Sequence, residues 1–395
     1  MRKTVGVGVI GMGWMGECHS RSYRAVTDKF YDEGIDPRLI ICSDNVEERA
    51  KISQHRFGFE QYSTQWMDVI NHPDVQVVSI TAPTGMHLEI IKAAAEAGKH
   101  VYCEKPAGKN PQEIAQAEQI ARQHGVLSML GYNYRWAPVV QYAKQLIQDG
   151  KIGKLTHYRG RFLNCYASDP YSLFSWRFQE ENGHGTLTDL MSHTIDMAHM
   201  LVGPIKRLAS NIQIIIKERP LPSENAASHY AKGDVNSKMA QVTNDDYVGA
   251  LVEFDNGVTG TLESCRAING PKTEIGFEIN GTEGSIRWSF ERMNEIQVQY
   301  RGTDAASEGY TTVVSSPAHP YHGNFNPAPG TGLGYNDLKT IECAQFLQAV
   351  ANVSASESTP AEPSLKEALA VANVQQAILY SWQKKAWQDV EDLKI

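Results

Sequence analysis

The stretch Gly6–Gly16, GVGVIGMGWMG, is the first strong structural signal in this chain. Its first residues alternate glycine with valine and lead into Ile10, a pattern typical of a buried strand. The glycines that follow have the spacing G-x-G-x-x-G, which is typical of a turn that binds a dinucleotide. The pattern alone is weak evidence, because a glycine-rich turn can also join a strand to a helix without binding a ligand. The residues downstream distinguish the two interpretations.

Strand and helix signals alternate through the first third of the chain. Five apolar runs, from VGVGVI to VLSMLGYN, are separated by stretches of helical periodicity such as residues 86–99 and 110–125. In the second of these, Asn110 is placed to cap a helix, Pro111 suits its first turn and Gly125 follows its end. Strands separated by helices predict right-handed crossovers and a doubly wound parallel sheet.

In such a sheet each glycine of the turn has a role in binding NAD. Gly11 permits the tight turn, Gly13 lets backbone N–H groups approach the pyrophosphate, and Gly16 lets the helix pack against the strand. A carboxylate at the end of the second strand then accepts hydrogen bonds from the adenine ribose. Asp44 ends the run RLIICSD and has this position, whereas Asp36 has the expected spacing but precedes the strand. Because an acid there repels a 2′-phosphate, NAD is favoured over NADP. The predicted cofactor turn also includes Met12, Trp14 and Met15.

Beyond residue 131 strand signals follow one another directly. Asp255–Gly257 and Asn280–Gly281 are hairpin-turn signals between alternating segments. The sequence therefore predicts an NAD-binding Rossmann domain over residues 1–131 and an α/β domain with an open, mostly antiparallel sheet over 132–395.

Helices of the second domain are expected around residues 138–149, 185–202 and 336–352. Two long insertions, residues 218–241 and 315–334, are expected at the surface. Loops of that length are often functional, so the second is interpreted as a lid or an oligomer contact.

Composition excludes several kinds of partner. The 395 residues carry a net charge of −8, which gives no electrostatic basis for binding nucleic acid or an anionic membrane. No apolar run approaches the roughly 18 residues of a membrane span. The six cysteines lie far apart with no C-x-x-C pair, which predicts reduced thiols in the cytoplasm and neither disulfides nor a zinc site. A metal site made of His184, Asp189 and His193 has no ligand motif to support it, so none is expected.

Several motifs, in order, resemble those of the Gfo/Idh/MocA oxidoreductase family over nearly the whole chain. The glycine turn is followed by His19, and four later segments match. These are TAPTGMH (Thr81–His87), CEKP (Cys103–Pro106), YNYRWAP (Tyr132–Pro138) and DLMSHTID (Asp189–Asp196). The resemblance implies a Rossmann domain followed by an α/β domain whose antiparallel sheet often mediates oligomerisation, so a homodimer or homotetramer is expected.

The resemblance also implies cofactor contacts. Pro83, next to Ala82, and His87 would line the nicotinamide side, and Glu104 would approach the nicotinamide ribose together with Lys105. The cofactor pocket would be closed by Asn133 and Arg135.

The family's catalytic lysine, aspartate and histidine match Lys105, Asp189 and His193. These residue types suit the oxidation of a secondary alcohol. Neutral imidazole, with a reference pKa of about 6.5, suits a base that removes the hydroxyl proton while hydride passes to the nicotinamide. Asp189, four residues before His193, would share its helix face and orient it or bond a substrate hydroxyl. Lys105 would polarise the substrate oxygen. His184 and Met191 stand where the family often has glycine, which bears on the shape of the substrate pocket.

Residues 161–185 are rich in planar and aromatic side chains, which sugar pockets use. The substrate-contact candidates are Arg161, Asn164, Tyr166, Trp176 and Arg177. Farther along the catalytic helix, three residues are expected either to pack in the protein interior or to support the catalytic side chains without contacting the substrate. These are Asp196, His199 and Met200.

The predicted function is that of an NAD-dependent dehydrogenase acting on a cyclic polyol or sugar, namely an inositol, a pyranoside or an anhydrosugar. Two alternatives stay open at this point. One is an NAD-dependent glycosidase that works by transient oxidation and elimination, and the other is a non-catalytic NAD-binding sensor.

Overall fold

A computed structural model describes residues 2–222, 232–233, 236–302, 306–353 and 361–391. The chain forms two compact units. The first contains the residues up to Pro138 together with Ser316–Leu369, and the second contains Val139–Ser315 and the segment that begins at Ala370. The sequence prediction assigned Ser316–Leu369 to the second domain, whereas in the structure this segment belongs to the first unit.

Six parallel strands form the sheet of the first unit, in the order β3-β2-β1-β4-β5-β6. Their bounds are β1 Lys3–Ile10, β2 Ile35–Ser43, β3 Gln61–Ser63, β4 Val77–Ile80, β5 His100–Cys103 and β6 Ser128–Leu130. The last six residues of β1 are all buried, as expected of a parallel strand covered on both faces. The predicted doubly wound Rossmann sheet is confirmed.

Helices separate these strands. Their bounds are α1 Trp14–Lys29, α2 Glu47–Phe57, α3 Trp66–Asn71, α4 His87–Glu96 and α5 Pro111–Gln123. The start of α5 is as predicted, because Asn110 Oδ1 accepts the N–H of Glu113 at 2.9 Å and Pro111 is the first helical residue. Gly125 follows the helix with φ 64°, a left-handed conformation that glycine adopts without strain.

The segment after residue 315 completes the first unit. It contains α9, His322–Phe325, and α10, Tyr335–Ala351, and α11, Leu365–Lys384, then carries the chain into the second unit. Helix α10 packs on α1 and reaches β1 and β2. The insertion 315–334 is held against the end of α1, where Asn324 donates to the Lys29 carbonyl at 3.1 Å and Phe325 packs edge-on against Phe30.

Nine strands form the sheet of the second unit, in the order β16-β15-β14-β13-β7-β12-β11-β8-β17. Only the β7–β12 pair is parallel among the described pairs, so the predicted mostly antiparallel sheet is confirmed. The bounds are β7 Leu155–Asn164, β8 Ile205–Gln213, β11 Tyr247–Phe254, β12 Thr259–Cys265, β13 Thr273–Gly281, β14 Gly284–Ser289, β15 Glu295–Tyr300, β16 Thr311–Val314 and β17 Gln388–Asp389.

Both predicted hairpins form. Gly257, with φ 83°, lies in the turn between β11 and β12, and β13 pairs with β14 in antiparallel register. In the insertion 218–241, β9 Glu218–Pro220 pairs with β10 Met239–Gln241. Residues 223–231 and 234–235 of that insertion lie outside the described residues.

The predicted helix over 185–202 is two helices. α7, Gly185–Asp189, and α8, Met191–Leu201, meet at Leu190, and α6, Pro138–Gln148, precedes β7. The N–H of His193 donates to the Leu190 carbonyl at 3.1 Å, three residues back, so the chain tightens at the junction. α8 packs on β7 and β12 and thereby covers one face of the sheet.

All six cysteines are free thiols, and five of them are buried. Within the described part of the chain, we find no helix with both the length and the apolar character that crossing a bilayer requires.

Candidate active site

The glycine turn after β1 has the geometry that a dinucleotide requires. Gly11 has φ 91°, and a Cβ there would lie 2.9 Å from the backbone of Thr81 and Ala82. A Cβ on Gly16 would lie 2.0 Å from the Gly11 carbonyl oxygen, so only glycine lets α1 approach the turn. A Cβ on Gly13 would meet no atom within 4 Å. This open space lies at the N-terminus of α1, where backbone N–H groups and the helix dipole favour a phosphate.

Asp44 follows β2 directly and is fixed by three donors. Its Oδ2 accepts the N–H of Met12 at 2.8 Å, its Oδ1 accepts the N–H of Val46 at 2.9 Å, and Arg49 Nη1 lies 3.2 Å from both oxygens. The carboxylate is therefore tied to the turn that it was predicted to serve. Asp36 lies inside β2, near its start, and bonds Thr27 at 3.0 Å, which corrects the expectation that it precedes the strand.

Aromatic rings lie beside the turn. Trp14, the first residue of α1, is 67% exposed and stacks on Tyr335 of α10 with ring centroids 5.7 Å apart. Tyr335 in turn meets the edge of Tyr134 at 6.1 Å. Of the other two turn residues, Met12 is buried and Met15 half-buried. The sequence showed no sign that a residue more than 300 positions away would meet Trp14.

His87, at the start of α4, ties two loops of the site together. Its Nε2 lies 2.8 Å from the Ala82 carbonyl oxygen, and its Nδ1 lies 2.8 Å from the Pro106 carbonyl oxygen. Burial lowers the pKa of His87, although both carbonyls oppose this shift. His87 thus holds the loop after β4, with Pro83, against the loop after β5.

Glu104 follows β5 and is buried with its carboxylate paired. Its Oε1 accepts from Lys339 of α10 at 2.5 Å and contacts His19 Nε2 at 2.8 Å. Burial alone would raise the pKa of Glu104, but Lys339 and His19 outweigh it and hold that pKa well below its ordinary value. Lys105 comes next in the chain, half-buried, before the cis peptide to Pro106.

A turn of 3₁₀ helix over Asn133–Trp136 carries the last two predicted cofactor residues, Asn133 and Arg135, and both are buried. Asn133 is 2% exposed, and its Nδ2 has no hydrogen-bond partner in the described structure. A buried amide without a partner is costly, and a bound ligand with an acceptor oxygen would supply the missing bond. With the open space at Gly13 and the fixed Asp44, this amide fits the binding of NAD.

Asp189, at the end of α7, is held by two side chains of the preceding loop. The Tyr166 hydroxyl donates to Asp189 Oδ2 at 3.2 Å, and Arg177 Nη1 lies 3.5 Å from the same oxygen. Burial, and then the nearby Asp189 charge, raise the pKa of Tyr166, so the phenol stays protonated and donates. The structure therefore brings three of the predicted residues together.

His193 lies on α8, one turn after Asp189, and is 5% exposed. Its ring is 5.9 Å from the Phe162 ring of β7. Asp196 is buried farther along the same helix, whereas His199 and Met200 are half-buried.

The remaining three predicted substrate residues, Arg161, Asn164 and Trp176, differ in their surroundings. Arg161 alternates with Phe162 along β7, so it lies on the opposite face of the sheet, where it pairs with Glu274 at 2.6 Å. Asn164 accepts the N–H of Tyr166 at 2.9 Å and so shapes the loop. Trp176 is 57% exposed and lies against Arg177. The structure does not bring Arg161 to Asp189.

A buried scaffold that sequence reasoning missed supports α7. Arg266 pairs with Asp246 at 2.8 Å and donates to the Arg177 carbonyl at 3.0 Å, and both paired side chains are at most 1% exposed. A Cβ on Gly185 would lie 2.0 Å from the Asp245 carbonyl oxygen and 2.6 Å from Arg266 Nη1, so α7 begins against this pair. No local motif identifies such a pair, because strand pairing brings its two members together and their spacing in sequence has no characteristic pattern.

Two further observations bear on the chemistry of the site. His184 Nδ1 lies 3.8 Å from Glu180 Oε1, and the two side chains form an ion pair when the imidazole is protonated. Within the described residues, no group of three or more histidine, cysteine, aspartate or glutamate side chains is arranged to hold a metal ion.

Known proteins resemble this chain along its whole length. A family of oxidoreductases with an NAD-binding Rossmann fold matches residues 5–132, and the GFO/IDH/MocA C-terminal domain matches residues 140–287. Levoglucosan dehydrogenase of Pseudarthrobacter phenanthrenivorans is 38% identical over 393 residues, 99% of each chain. A solved structure of levoglucosan dehydrogenase in complex with NADH and levoglucosan has a TM-score of 0.90 at 37% identity and covers 98% of this chain and 100% of its own.

More distant relatives include an NAD⁺-dependent scyllo-inositol 2-dehydrogenase of Bacillus subtilis, 27% identical, with 72% of this chain and 74% of the relative covered. The prediction of NAD as cofactor is confirmed, and the protein is an oxidoreductase. The chain belongs to the Gfo/Idh/MocA family of NAD-binding oxidoreductases.

Proposed function

We propose that the protein oxidises a secondary hydroxyl of a cyclic sugar to the ketone, with NAD as acceptor, and that a 1,6-anhydrosugar of the levoglucosan type is its substrate. The similarity to levoglucosan dehydrogenase over 99% of both chains carries this proposal. The inositol dehydrogenases align with less of the chain and at lower identity, so inositols are the second class to test.

His193 is proposed as the base that takes the hydroxyl proton. Its burial beside Phe162 limits competing water, and Asp189, which Tyr166 and Arg177 hold in place, is proposed to orient the imidazole or a substrate hydroxyl. Lys105 is proposed to polarise the substrate oxygen, since an ammonium stabilises the alkoxide character that develops there.

Bound NAD supplies the hydride acceptor. The protein's part is to bind and orient it, and we propose that Gly13, Asp44, Glu104, Asn133 and Arg135 do so. The unpartnered Nδ2 of Asn133 and the three donors that fix Asp44 support these assignments.

Trp176 and Arg177 are proposed to contact the sugar, together with Tyr166. An exposed indole offers an apolar face to the C–H face of a sugar ring, and Arg177 keeps donors beyond its contact with Asp189. Arg161 is left out of the proposed pocket, because its guanidinium is paired on the opposite face of the sheet.

The test is a substrate screen that follows NADH absorbance. The chain is incubated with NAD⁺ and levoglucosan, scyllo-inositol, myo-inositol or glucose, and we expect the highest kcat/KM with levoglucosan. His193→Ala should lower kcat by about 10²- to 10⁴-fold, the usual contribution of a general base, with the Kd for NAD⁺ unchanged. Turnover of every sugar at background rate, or full activity of His193→Ala and Lys105→Ala, would overturn the proposal.

The same screen separates the two alternatives. A glycosidase would release the aglycone of a glycoside without net NADH, and a sensor would bind NAD⁺ with no turnover. No described contact favours either one.

We also propose a homo-oligomer. On β11, Leu251 is 55% exposed on a sheet face that also holds charged pairs such as Arg159–Glu278. Light scattering coupled to size-exclusion chromatography tests this, and a monomer at micromolar concentration would contradict it.

A further inference from the structure

Lys339, in α10, is fully buried inside the first unit and has every donor in use. Its Nζ donates to Glu104 Oε1 at 2.5 Å, to Glu342 Oε2 at 2.8 Å and to the Tyr102 hydroxyl at 3.1 Å. Tyr102 itself donates to Glu342 at 2.5 Å. Burying an ammonium costs free energy unless it is fully paired, so the arrangement holds Lys339 in one position.

His19 of α1 holds the same carboxylate oxygen from another direction. An ionised carboxylate only accepts, so His19 donates from Nε2 to Glu104 Oε1 at 2.8 Å and accepts the Ser79 hydroxyl on Nδ1 at 2.7 Å. Burial lowers the pKa of His19, which agrees with this neutral ring. The imidazole also stacks on Tyr102, with centroids 4.5 Å apart.

The two oxygens of Glu104 are thereby distinguished. Oε1 accepts both hydrogen bonds, and no described residue donates to Oε2. The backbone limits the carboxylate further, because a Cβ on Gly131 would lie 2.5 Å from Oε1 and 2.8 Å from Oε2. One oxygen is anchored, and the other is left to accept from a ligand.

Without Lys339 the carboxylate would lose its main compensating charge. Burial then favours the protonated acid or a rotation of the side chain toward solvent. After either change, Glu104 no longer presents a fixed, ionised carboxylate that can accept a hydrogen bond.

We propose that Lys339 is a positioning residue of the cofactor site: it acts through Glu104, and holds that carboxylate ionised and oriented so that Oε2 accepts a ribose hydroxyl of NAD. This inference rests on the proposed contact of Glu104 with the cofactor. It makes α10, which is more than 300 residues from the glycine turn in sequence, part of the cofactor-binding machinery.

A double-mutant cycle tests it. All proteins of the cycle carry Glu342→Gln, so that removing Lys339 leaves no second unpaired carboxylate. Lys339→Met, Glu104→Gln and the combination are compared by Kd for NAD⁺ without substrate, by KM for NAD⁺ against kcat, and by Tm. Lys339→Met should raise Kd and KM by about tenfold, the usual loss for a hydrogen bond to a charged group, with kcat changed much less. In the Glu104→Gln background the same substitution should change Kd by less than about twofold.

Lys99→Met is the matched control. Lys99 is also a lysine of the first unit, and its Nζ donates to the carbonyls of His72 and Val75 at 3.1 and 2.7 Å. Its loss should lower Tm without changing the affinity for NAD⁺. Gly131→Ala, which pushes on the carboxylate by steric contact alone, should raise Kd as Lys339→Met does.

Three results would overturn the inference: an equal rise in Kd with and without the Glu104 carboxylate, an unchanged Kd in Lys339→Met, or an unchanged Kd in Glu104→Gln. The experiment needs no sugar. If the wild-type chain binds NAD⁺ but oxidises no sugar, the proposed reaction is wrong, whereas the double-mutant cycle still tests the role of Lys339.

Discussion

At the residue scale, the three glycines of the turn obey different constraints, and these can be separated. Gly16→Ala places a Cβ 2.0 Å from the Gly11 carbonyl, so it should lower Tm markedly. Gly13 has φ −74° and open space, so Gly13→Ala should keep the wild-type Tm but raise KM for NAD⁺, because the methyl group occupies the approach of the pyrophosphate. Thermal melts of the two variants check the predicted Tm values, and the KM for NAD⁺ of Gly13→Ala checks the predicted loss of cofactor binding. Equal losses of Tm in the two variants would contradict the prediction.

The ion pair between Asp44 and Arg49 predicts a route to altered cofactor preference. Asp44→Ser removes the carboxylate that repels a 2′-phosphate and releases Arg49 to bind it. The ratio of kcat/KM for NADP to that for NAD should rise at least about tenfold, which corresponds to about 1.4 kcal/mol. Asp44→Ser with Arg49→Ala is the control and should lose most of the gain. A ratio unaffected by Arg49 would show that the guanidinium plays no part.

At the scale of elements, the break between α7 and α8 predicts that Asp189 depends on the loop before it. Tyr166→Phe removes the hydroxyl that donates to Asp189, and kcat/KM should fall about tenfold with little change in Tm. Tyr158→Phe is the matched control, since its buried hydroxyl has no hydrogen-bond partner, and it should keep full activity. Equal kcat/KM values for the two variants would contradict the role of Tyr166.

Some elements were predictable from sequence and others were not. The start of α5 follows from Asn110 and Pro111, because capping is a local interaction. The break at Leu190 could not be predicted, since helical periodicity continues across it and the contacts of Gly185 with Asp245 and Arg266 come from other strands. The prediction of Arg161 as a substrate contact failed for a similar reason. An arginine can bind a sugar hydroxyl, but Arg161 alternates with Phe162 along β7 and so lies on the other face of the sheet.

At the scale of the whole molecule, two buried histidines and the half-buried His100 predict how the free energy of unfolding depends on pH. Burial lowers the pKa of His19, His87 and His100, all in the first unit. The unfolded chain then binds more protons just below the ordinary histidine pKa of 6.5, so the free energy of unfolding is retained above that pH and declines as the pH falls through it. Each histidine contributes a slope of at most about 1.4 kcal/mol per pH unit.

His100→Gln isolates one contribution. His100 Nδ1 accepts the N–H of Leu127 at 3.0 Å, and a glutamine oxygen can accept in its place. Between pH 7.5 and pH 5.5, the Tm of the variant should fall by less than the Tm of the wild type. These two pH values lie about one unit on either side of the reference histidine pKa. Glu342, whose pKa burial raises, acts in the opposite sense in both proteins and so cancels in the comparison. Parallel pH profiles of Tm would contradict the assignment.

The glycine turn and the acid after β2 were predictable from sequence, because each depends on residues close together in the chain. The parallel first sheet and the family were predictable because the strand signals and the motifs keep their order along the chain. Three features became visible only in the tertiary structure: α10 completes the first unit, Lys339 pairs with Glu104, 235 positions away in sequence, and Tyr166 and Arg177 hold Asp189. Buried charges are stabilised by whichever partners packing brings within hydrogen-bond distance. Local pattern indicates which apolar residues are buried, but not which charged residues are buried with them or which partners those charges meet.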